Sequence, residues 1–233
     1  MRATLKPRVK ICCIKSVEEA ALAIECGASA LGLVSHMPSG PGVIDEDRIA
    51  EIAARVPPPI GTFLLTSKQR VEEIVAQHSR CRTNCVQLCD RLTSGTHADL
   101  HSALPGISIV QVIHVTGPES IDEAVAVSAT VDAILLDSGN QSLAIKELGG
   151  TGRTHDWSLS RRIREQVPVP VFLAGGLKAE NVAEAIRTVE PFGVDVCSGV
   201  RTNGELDQFK LRAFFSSLSL LAEGRGEGLT NRH

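Results

Sequence analysis

The sequence predicts an α/β protein built as a single (β/α)8 TIM barrel. Short apolar, β-rich runs alternate with helix-like runs along most of the 233 residues, and no linker-like stretch divides them. One barrel of this length is ordinary, and a doubly wound open sheet is the second choice. We expect residues 1–221 to form the barrel. Residues 222–233 are polar and Gly-rich, so we expect a flexible C-terminal tail.

The first half of the chain contains four of the predicted strand–helix units. Ser16 with Glu19 three residues later is typical of a capping box, Asp45 is a typical N-cap, and we expect Ser67 to cap the third helix. The Gly- and Pro-rich segment 35–44 predicts a loop. The predicted strands are 8–14, 30–34, 61–65 and 85–88, and the predicted helices are 16–26, 45–56, 67–78 and one from about residue 96.

The second half repeats the same alternation. The predicted strands are 108–114, 133–137, 171–174 and 193–197, and the predicted helices are 119–129, 157–166, 179–189 and 207–221. Asp156 is a plausible N-cap for the helix that starts at Trp157. The segment 138–155 is longer than most connections in a compact domain, and loops of this length are usually functional or disordered.

The amino-acid composition argues against several classes of function and location. The net charge of −3, the 3% aromatic content and the absence of tyrosine argue against a nucleic-acid-binding surface. No apolar run is long enough for a transmembrane helix, and the N-terminus lacks the apolar region of a secretory signal. Seven cysteines without a scaffold-like pattern fit free thiols in the reducing cytosol, so we expect a cytoplasmic protein.

Neither a metal nor a cofactor is expected. Cys81, Cys85 and Cys89 recur every four residues, but this spacing spreads side chains along a strand instead of converging them. The run 149–152 (GGTG) is too short for a dinucleotide fingerprint, and it follows a loop instead of a strand.

Two strand ends near the C-terminus predict a phosphate site. Strand seven runs into Gly175-Gly176 and strand eight into Ser198-Gly199. In barrels of this kind the loops after strands seven and eight often bind phosphate, and glycine lets backbone N–H groups approach an anion. Each glycine pair alone could equally make a tight strand-to-helix turn, but the two together favour phosphate.

Cys12 and Asp137 are the candidate catalytic residues, because each lies at the C-terminal end of a predicted strand. A thiolate can act as a base, and a carboxyl group after three apolar residues can be desolvated into a general acid. Cys12 could also be a small buried apolar residue, and Asp137 a helix cap or a solvent-facing loop residue. Strand alternation places Lys10 on the same face as Cys12, where its charge needs a carboxylate partner.

Four motifs in order resemble the phosphoribosylanthranilate isomerase family of tryptophan biosynthesis. The similarity extends from about Arg8 to Phe215, nearly the whole chain. The motifs are 10–14 (KICCI), 134–137 (ILLD) with 149–158 (GGTGRTHDWS), 174–181 (AGGLKAEN) and 191–200 (PFGVDVCSGV). The resemblance implies an Amadori rearrangement of a phosphorylated sugar-amine, without metal or coenzyme.

The resemblance also implies roles for residues of this chain. Asp137 would protonate the ribose ring oxygen as general acid, and Cys12 would remove the C2 proton as general base. Asp195 would contact the polar centre of the substrate. The expected phosphate ligands are Gly175, Gly176, Ser198 and Gly199.

The chain departs from the family pattern at three positions. Cys13 replaces the usual glycine after the catalytic cysteine, and Cys89 replaces the usual histidine after strand four. The loop 35–44 lacks the arginine that faces the anthranilate carboxylate in the family. Arg153 or Arg48 would have to replace it, or the substrate is a different phosphorylated aldosylamine. A non-catalytic barrel that binds a sugar phosphate is a further alternative, and nothing in the sequence selects an oligomeric state.

Overall fold

The computed structural model describes residues 7–223, in which strands and helices alternate. The strands are β1 (Arg8–Ile11), β2 (Ala30–Val34), β3 (Gly61–Thr66), β4 (Cys85–Leu88), β5 (Ser108–His114), β6 (Ala133–Asp137), β7 (Val171–Leu173) and β8 (Gly193–Val196). The helices are α1 (Val17–Glu25), α2 (Glu46–Arg55), α3 (Val71–Cys81), α4 (His97–Ala103), α5 (Glu119–Ser128), α6 (Trp157–Gln166), α7 (Val182–Val189) and α8 (Gln208–Glu223).

The eight strands form a closed parallel barrel. Hydrogen-bonded neighbours follow the chain order from β1 to β8, and β8 pairs back onto β1. In that closing pair Lys10 lies opposite Asp195 and Ile11 lies opposite Val196. The predicted (β/α)8 barrel is therefore confirmed.

Strand alternation separates two apolar layers. Residues such as Leu31, Leu64 and Ile134 point outward and pack with the helices in the larger core. Residues such as Phe63 and Phe172 point into the barrel and fill its interior. Their rings meet edge to face with centroids 6.0 Å apart. The barrel is a packed core, so a ligand can enter only at its ends.

The third helix begins later than predicted. Ser67 does not cap it, since its hydroxyl donates to the carbonyl of His36 at 2.8 Å. Residues 67–69 form no regular structure, and Arg70 is extended and forms a bridge with Ser94. The N–H of Val71, the first residue of α3, donates to Ser94. A pairing with a distant segment therefore overrides the local capping signal.

Other boundaries differ at the strand ends that surround the site. Strands one, seven and eight stop short of their predicted ends, in two cases because the backbone turns left-handed at Cys13 (φ 63°) and Gly175 (φ 85°). A turn around residues 178–181 delays α7 to Val182. Between β8 and α8 the chain adds an unpredicted 3-10 turn, Ser198–Val200, and a short antiparallel pair, β9 (Arg201–Thr202) and β10 (Glu205–Leu206).

The last helix extends past its predicted end to Glu223. The remainder of the predicted tail, residues 224–233, lies outside the described residues. Over residues 7–223 we find no helix with the length and apolar content needed to cross a membrane.

Candidate active site

A cavity opens at the carboxyl ends of the barrel strands, where catalytic groups of this fold collect. The loop after β2 (39–41) and the loop after β6 (148–152) supply parts of its wall. The predicted site residues that line it are Cys12, Asp137, Gly175, Gly176, Asp195 and Ser198. Gly199 does not line the cavity and instead borders an adjoining groove that it shares with Ser198 and Gly176.

Asp137 carries a buried carboxyl group in the wall of this cavity. It ends β6, and its Oδ1 accepts a hydrogen bond from the N–H of Ser138 at 2.7 Å. Burial raises the pKa of this carboxyl above its ordinary value, although the Ser138 bond and the nearby His114 act against the shift. A carboxyl group in this state can hold a proton and deliver it to a ligand.

Lys10 and Asp195 form an ion pair inside the barrel, with Nζ 2.7 Å from Oδ2. This pair supplies the carboxylate partner that the sequence required for Lys10. Burial lowers the pKa of Lys10, but the charge of Asp195 and a hydrogen bond to it outweigh burial and raise it above normal. The second carboxylate oxygen, Oδ1 of Asp195, is buried without a hydrogen-bond partner among residues 7–223.

Cys12 lies beside this ion pair. The Cys12 sulfur and the Lys10 ammonium both pack against Gly32 of β2, within about 3 Å of where a Cβ at that position would stand. Glycine on β2 therefore makes room for a thiol and an ammonium to lie side by side. Arg201 fixes the backbone here, donating through Nη2 to the carbonyl oxygens of Cys12 at 3.2 Å and Cys13 at 2.5 Å.

Glu19 anchors Arg201. Its carboxylate accepts from Arg201 Nη1 at 2.9 Å and from the N–H of Lys15 at 2.9 Å. Ser16 caps α1 as predicted, accepting from the N–H of Glu19 at 3.2 Å, but Glu19 does not return a bond to Ser16. The expected capping box is therefore incomplete, and Glu19 instead contacts Arg201, which joins the start of α1 to the segment after β8.

The two predicted glycine turns lie together at one side of the cavity. Gly175 and Gly176 both have left-handed backbone, with φ of 85° and 61°. Within residues 7–223, the N–H groups of Gly175, Gly176, Ser198 and Gly199 donate no hydrogen bond. Free N–H groups on two adjacent loops form a wall suited to an anion.

Sequence reasoning missed part of the site. The GGTG run, set aside as a cofactor motif, lines the cavity through all four of its residues. Gln87 of β4 also lines it, and its Oε1 is buried without a partner in the described part of the chain. Gln87 could have been predicted from strand alternation, because it lies on β4 two residues before Cys89 and both residues therefore face the cavity.

The cavity wall contains no arginine, lysine or histidine among residues 7–223. Arg48 lies on α2 and pairs with Glu51 at 2.7 Å, while Arg153 pairs with Glu147 and is largely exposed. Neither residue lines the cavity, so the structure does not support the alternative in which one of them replaces the missing loop arginine.

Comparison with known proteins decides the family. A family model described as N-(5'phosphoribosyl)anthranilate (PRA) isomerase matches residues 9–217. The chain belongs to this isomerase family. It is therefore an enzyme of the aldose–ketose isomerase type, in a family of tryptophan biosynthesis, as the four motifs indicated.

Relatives of this isomerase family match over most of their length. N-(5'-phosphoribosyl)anthranilate isomerase 2 of Methanosarcina mazei is 40% identical over 209 residues, covering 89% of this chain and 92% of that protein. The isomerase of Methanosarcina acetivorans is 35% identical over 227 residues, covering 92% and 94%.

Solved structures of the family share the fold. The phosphoribosyl anthranilate isomerase of Thermotoga maritima superposes with a TM-score of 0.75 at 29% identity, covering 91% of this chain and 98% of that one. A phosphoribosyl anthranilate isomerase in complex with reduced 1-(o-carboxyphenylamino)-1-deoxyribulose 5-phosphate gives a TM-score of 0.73 at 28% identity, with coverage of 91% and 98%.

Proposed function

We propose that this chain catalyses the Amadori rearrangement of N-(5'-phosphoribosyl)anthranilate to 1-(2-carboxyphenylamino)-1-deoxyribulose 5-phosphate. The observation that carries the proposal is that Cys12, directly after β1, and Asp137, at the end of β6, line one cavity. These two strands are not neighbours in the barrel. A thiol and a carboxyl group placed in this way can act on two positions of one sugar. The ligand of a solved relative is a reduced form of this product, which supports the substrate class.

Asp137 is the general acid of the proposed reaction. Its buried carboxyl gives a proton to the ring oxygen of the ribose, the bond from C1 to that oxygen breaks, and C1 becomes a protonated Schiff base. The shift of its pKa above the ordinary value by burial favours the protonated form that this step requires.

Cys12 is the general base. As a thiolate it removes the proton from C2, the electrons of that C–H bond neutralise the Schiff base, and the resulting enolamine tautomerises to the ketone. The Lys10 ammonium beside its sulfur can pair with the thiolate. Acid and base would each contribute on the order of 10²–10⁴ to the rate.

The loops after β7 and β8 hold the 5-phosphate. The free N–H groups of Gly175, Gly176, Ser198 and Gly199 are the donors we assign to it. Asp195 contacts a sugar hydroxyl through Oδ1, which has no other partner in the described residues. This anchor fixes the ribose between the acid and the base.

Among residues 7–223 no basic side chain lines the cavity, and this favours a second candidate substrate. An unpaired carboxylate in an apolar pocket is costly, and Val34, Met37 and Leu148 make this wall apolar. A phosphorylated aldosylamine without the aromatic carboxylate would avoid that cost. The chemistry of Cys12 and Asp137 would be unchanged.

Two assays test the proposed function. Phosphoribosylanthranilate is fluorescent, and its signal should fall as the purified wild-type protein consumes it. The wild-type gene should also restore growth without tryptophan in a host that lacks this isomerase. No consumption and no growth would reject the anthranilate substrate, and turnover of the analogue built on aniline would then support the second candidate.

The cysteines indicate the cellular compartment in which the protein works. All seven are free thiols in the structure. Free thiols in this number persist in reducing compartments, so we propose a cytoplasmic location.

A further inference from the structure

Two cysteines outside the proposed chemistry meet where the barrel closes. The sulfur atoms of Cys13 and Cys197 lie 2.7 Å apart. Cys13 follows β1 and Cys197 follows β8, the two strands that pair to close the barrel. Both residues line the active-site cavity, so a small molecule that enters it can reach them.

The backbone at Cys13 is held in an unfavourable conformation. Its φ of 63° lies in the left-handed region that residues with a Cβ avoid, at a position where the resembled family usually has glycine. Such backbone strain is retained only where the surrounding contacts hold the residue in place, and it often marks a functional site. Here the carbonyl oxygen of Cys13 is fixed by Arg201, and its sulfur is directed at Cys197.

The two thiols are chemically different. A hydrogen bond with Cys13 and the positive charge of Arg201 lower the pKa of the Cys197 thiol. Burial acts in the opposite direction, but the net shift of this pKa is downward. Hydrogen bonds with its neighbouring thiols and burial raise the pKa of Cys13. Cys197 is also the more exposed of the two. It is therefore suited to react first, with Cys13 reacting second.

We propose that Cys13 and Cys197 are a reversible thiol-modification site that low-molecular-weight disulfides convert to an internal disulfide. The Cys197 thiolate attacks one sulfur of the small disulfide, forming a mixed disulfide and releasing one thiolate. The Cys13 thiol loses its proton and attacks the Cys197 sulfur of the mixed disulfide, releasing the second small thiolate. The protein loses two electrons and two protons, and the small disulfide becomes two thiols.

The new bond would connect the two parts of the proposed machinery. Cys13 is adjacent to Cys12, and Cys197 is adjacent to Ser198 of the phosphate wall. Drawing the Cys13 sulfur toward Cys197 would weaken its contact with the carbonyl oxygen of Pro41, now 3.6 Å away, in a loop that lines the cavity. Displacement of a base by about 1 Å can cost roughly 10²-fold in rate, so the oxidised enzyme should be slower.

Disulfide mapping tests the site without any reference to activity. The folded protein is treated with excess oxidised glutathione, its remaining thiols are blocked, and it is digested with trypsin without reduction. The expected product joins the peptide 11–15 to the peptide 188–201, which contains Cys197 as its one cysteine. The link should still form in Cys12→Ser and should be lost in Cys13→Ser and Cys197→Ser. Absence of the link, or its loss in Cys12→Ser with retention in Cys13→Ser, would overturn the proposal.

The effect on turnover rests on the proposed function and is measured separately. Oxidised wild type should lose roughly tenfold or more of its kcat/KM, and dithiothreitol should restore it. In Cys197→Ser the ratio of oxidised to reduced activity should stay near one. In the control Cys26→Ser this ratio should fall as it does in wild type, since Cys26 lies away from the cavity. A mapped link without a change in activity would overturn the inhibitory effect. A wild type inactive on phosphoribosylanthranilate would reject that substrate, while the mapped link would still establish the site.

Discussion

Lys10 and Asp195 are paired in register across the closing strands of the barrel, with Nζ 2.7 Å from Oδ2 and the ammonium completely buried. The Lys10 ammonium also lies 5.3 Å from the centroid of the Phe63 ring and next to the Cys12 sulfur. This ion pair therefore connects the packed interior of the barrel to the proposed base above it.

Lys10→Met should destabilise the protein strongly. The change leaves the Asp195 carboxylate buried without its cation, which typically costs about 3–5 kcal/mol. Urea unfolding should show this loss, and adding Asp195→Asn in the same chain should recover much of it. The matched control is Lys15→Met, because Lys15 pairs with the exposed Glu205 and should contribute less than about 1 kcal/mol. Equal losses for Lys10→Met and Lys15→Met would show that the buried pair has no special role in stability.

Gly199→Ala should weaken phosphate binding. A Cβ at this position would overlap the carbonyl oxygen of Leu177, so the loops after β7 and β8 must separate. We expect KM for the substrate to rise roughly tenfold or more, with a smaller change in kcat. Gly106→Ala is the control: it adds backbone strain at φ 82°, where nothing lies within 4 Å. If both variants keep the wild-type KM, the phosphate site has been placed wrongly.

Asp137→Asn should stabilise the protein at neutral pH while removing the acid. The pKa of Asp137 is raised by burial, so between its unfolded value of about 3.9 and its folded value the folded state binds more protons. Stability that depends on this group is therefore lost as pH rises through that window. Thermal unfolding should show the variant gaining Tm over wild type from pH 4 to pH 7.5.

Asp156→Asn is the matched control for this pH series. Asp156 is an exposed N-cap whose pKa is lowered by hydrogen bonds from Ser158, so its stabilising contribution is present at neutral pH and lost in acid. This variant should therefore lose Tm relative to wild type as pH rises. The same trend for both variants would contradict the assignment of Asp137 as a desolvated carboxyl group.

Partly buried His155 should make the protein sensitive to mild acid. Burial lowers the pKa of His155 to about 4, below its ordinary 6.5, and its Nε2 is 2.7 Å from the hydroxyl of Ser160. Between these values the unfolded state takes up a proton that the folded state does not, so stability falls as pH drops from 6.5 to 4, by up to ~3 kcal/mol. His155→Gln should flatten this part of the curve in urea titrations, whereas His101→Gln should leave it steep. An unchanged slope in His155→Gln would show that another group causes the acid sensitivity.

The strand ends were predictable because a parallel barrel brings them to one face. Asp137, Asp195 and Ser198 reach the same cavity for this reason, and the carboxylate partner that Lys10 required is Asp195. Local apolar patterns and strand alternation are sufficient for this inference.

Features that depend on contacts between distant segments were not predictable. The start of α3 depends on a pairing with Ser94, and the role of the GGTG run depends on where the long loop folds back over the cavity. Cys13 and Cys197 are 184 positions apart in sequence, and their approach follows from the closure of β8 onto β1. Capping and turn patterns are local, so they do not predict contacts between segments that are far apart in the sequence.

The most direct test of the proposed acid–base pair is the loss of phosphoribosylanthranilate fluorescence with wild type, Cys12→Ser and Asp137→Asn under identical conditions. Wild type should consume the substrate, and each variant should lose on the order of 10²–10⁴ in kcat while circular dichroism shows an intact fold. Full activity in either folded variant would contradict the assignment of that residue as acid or base.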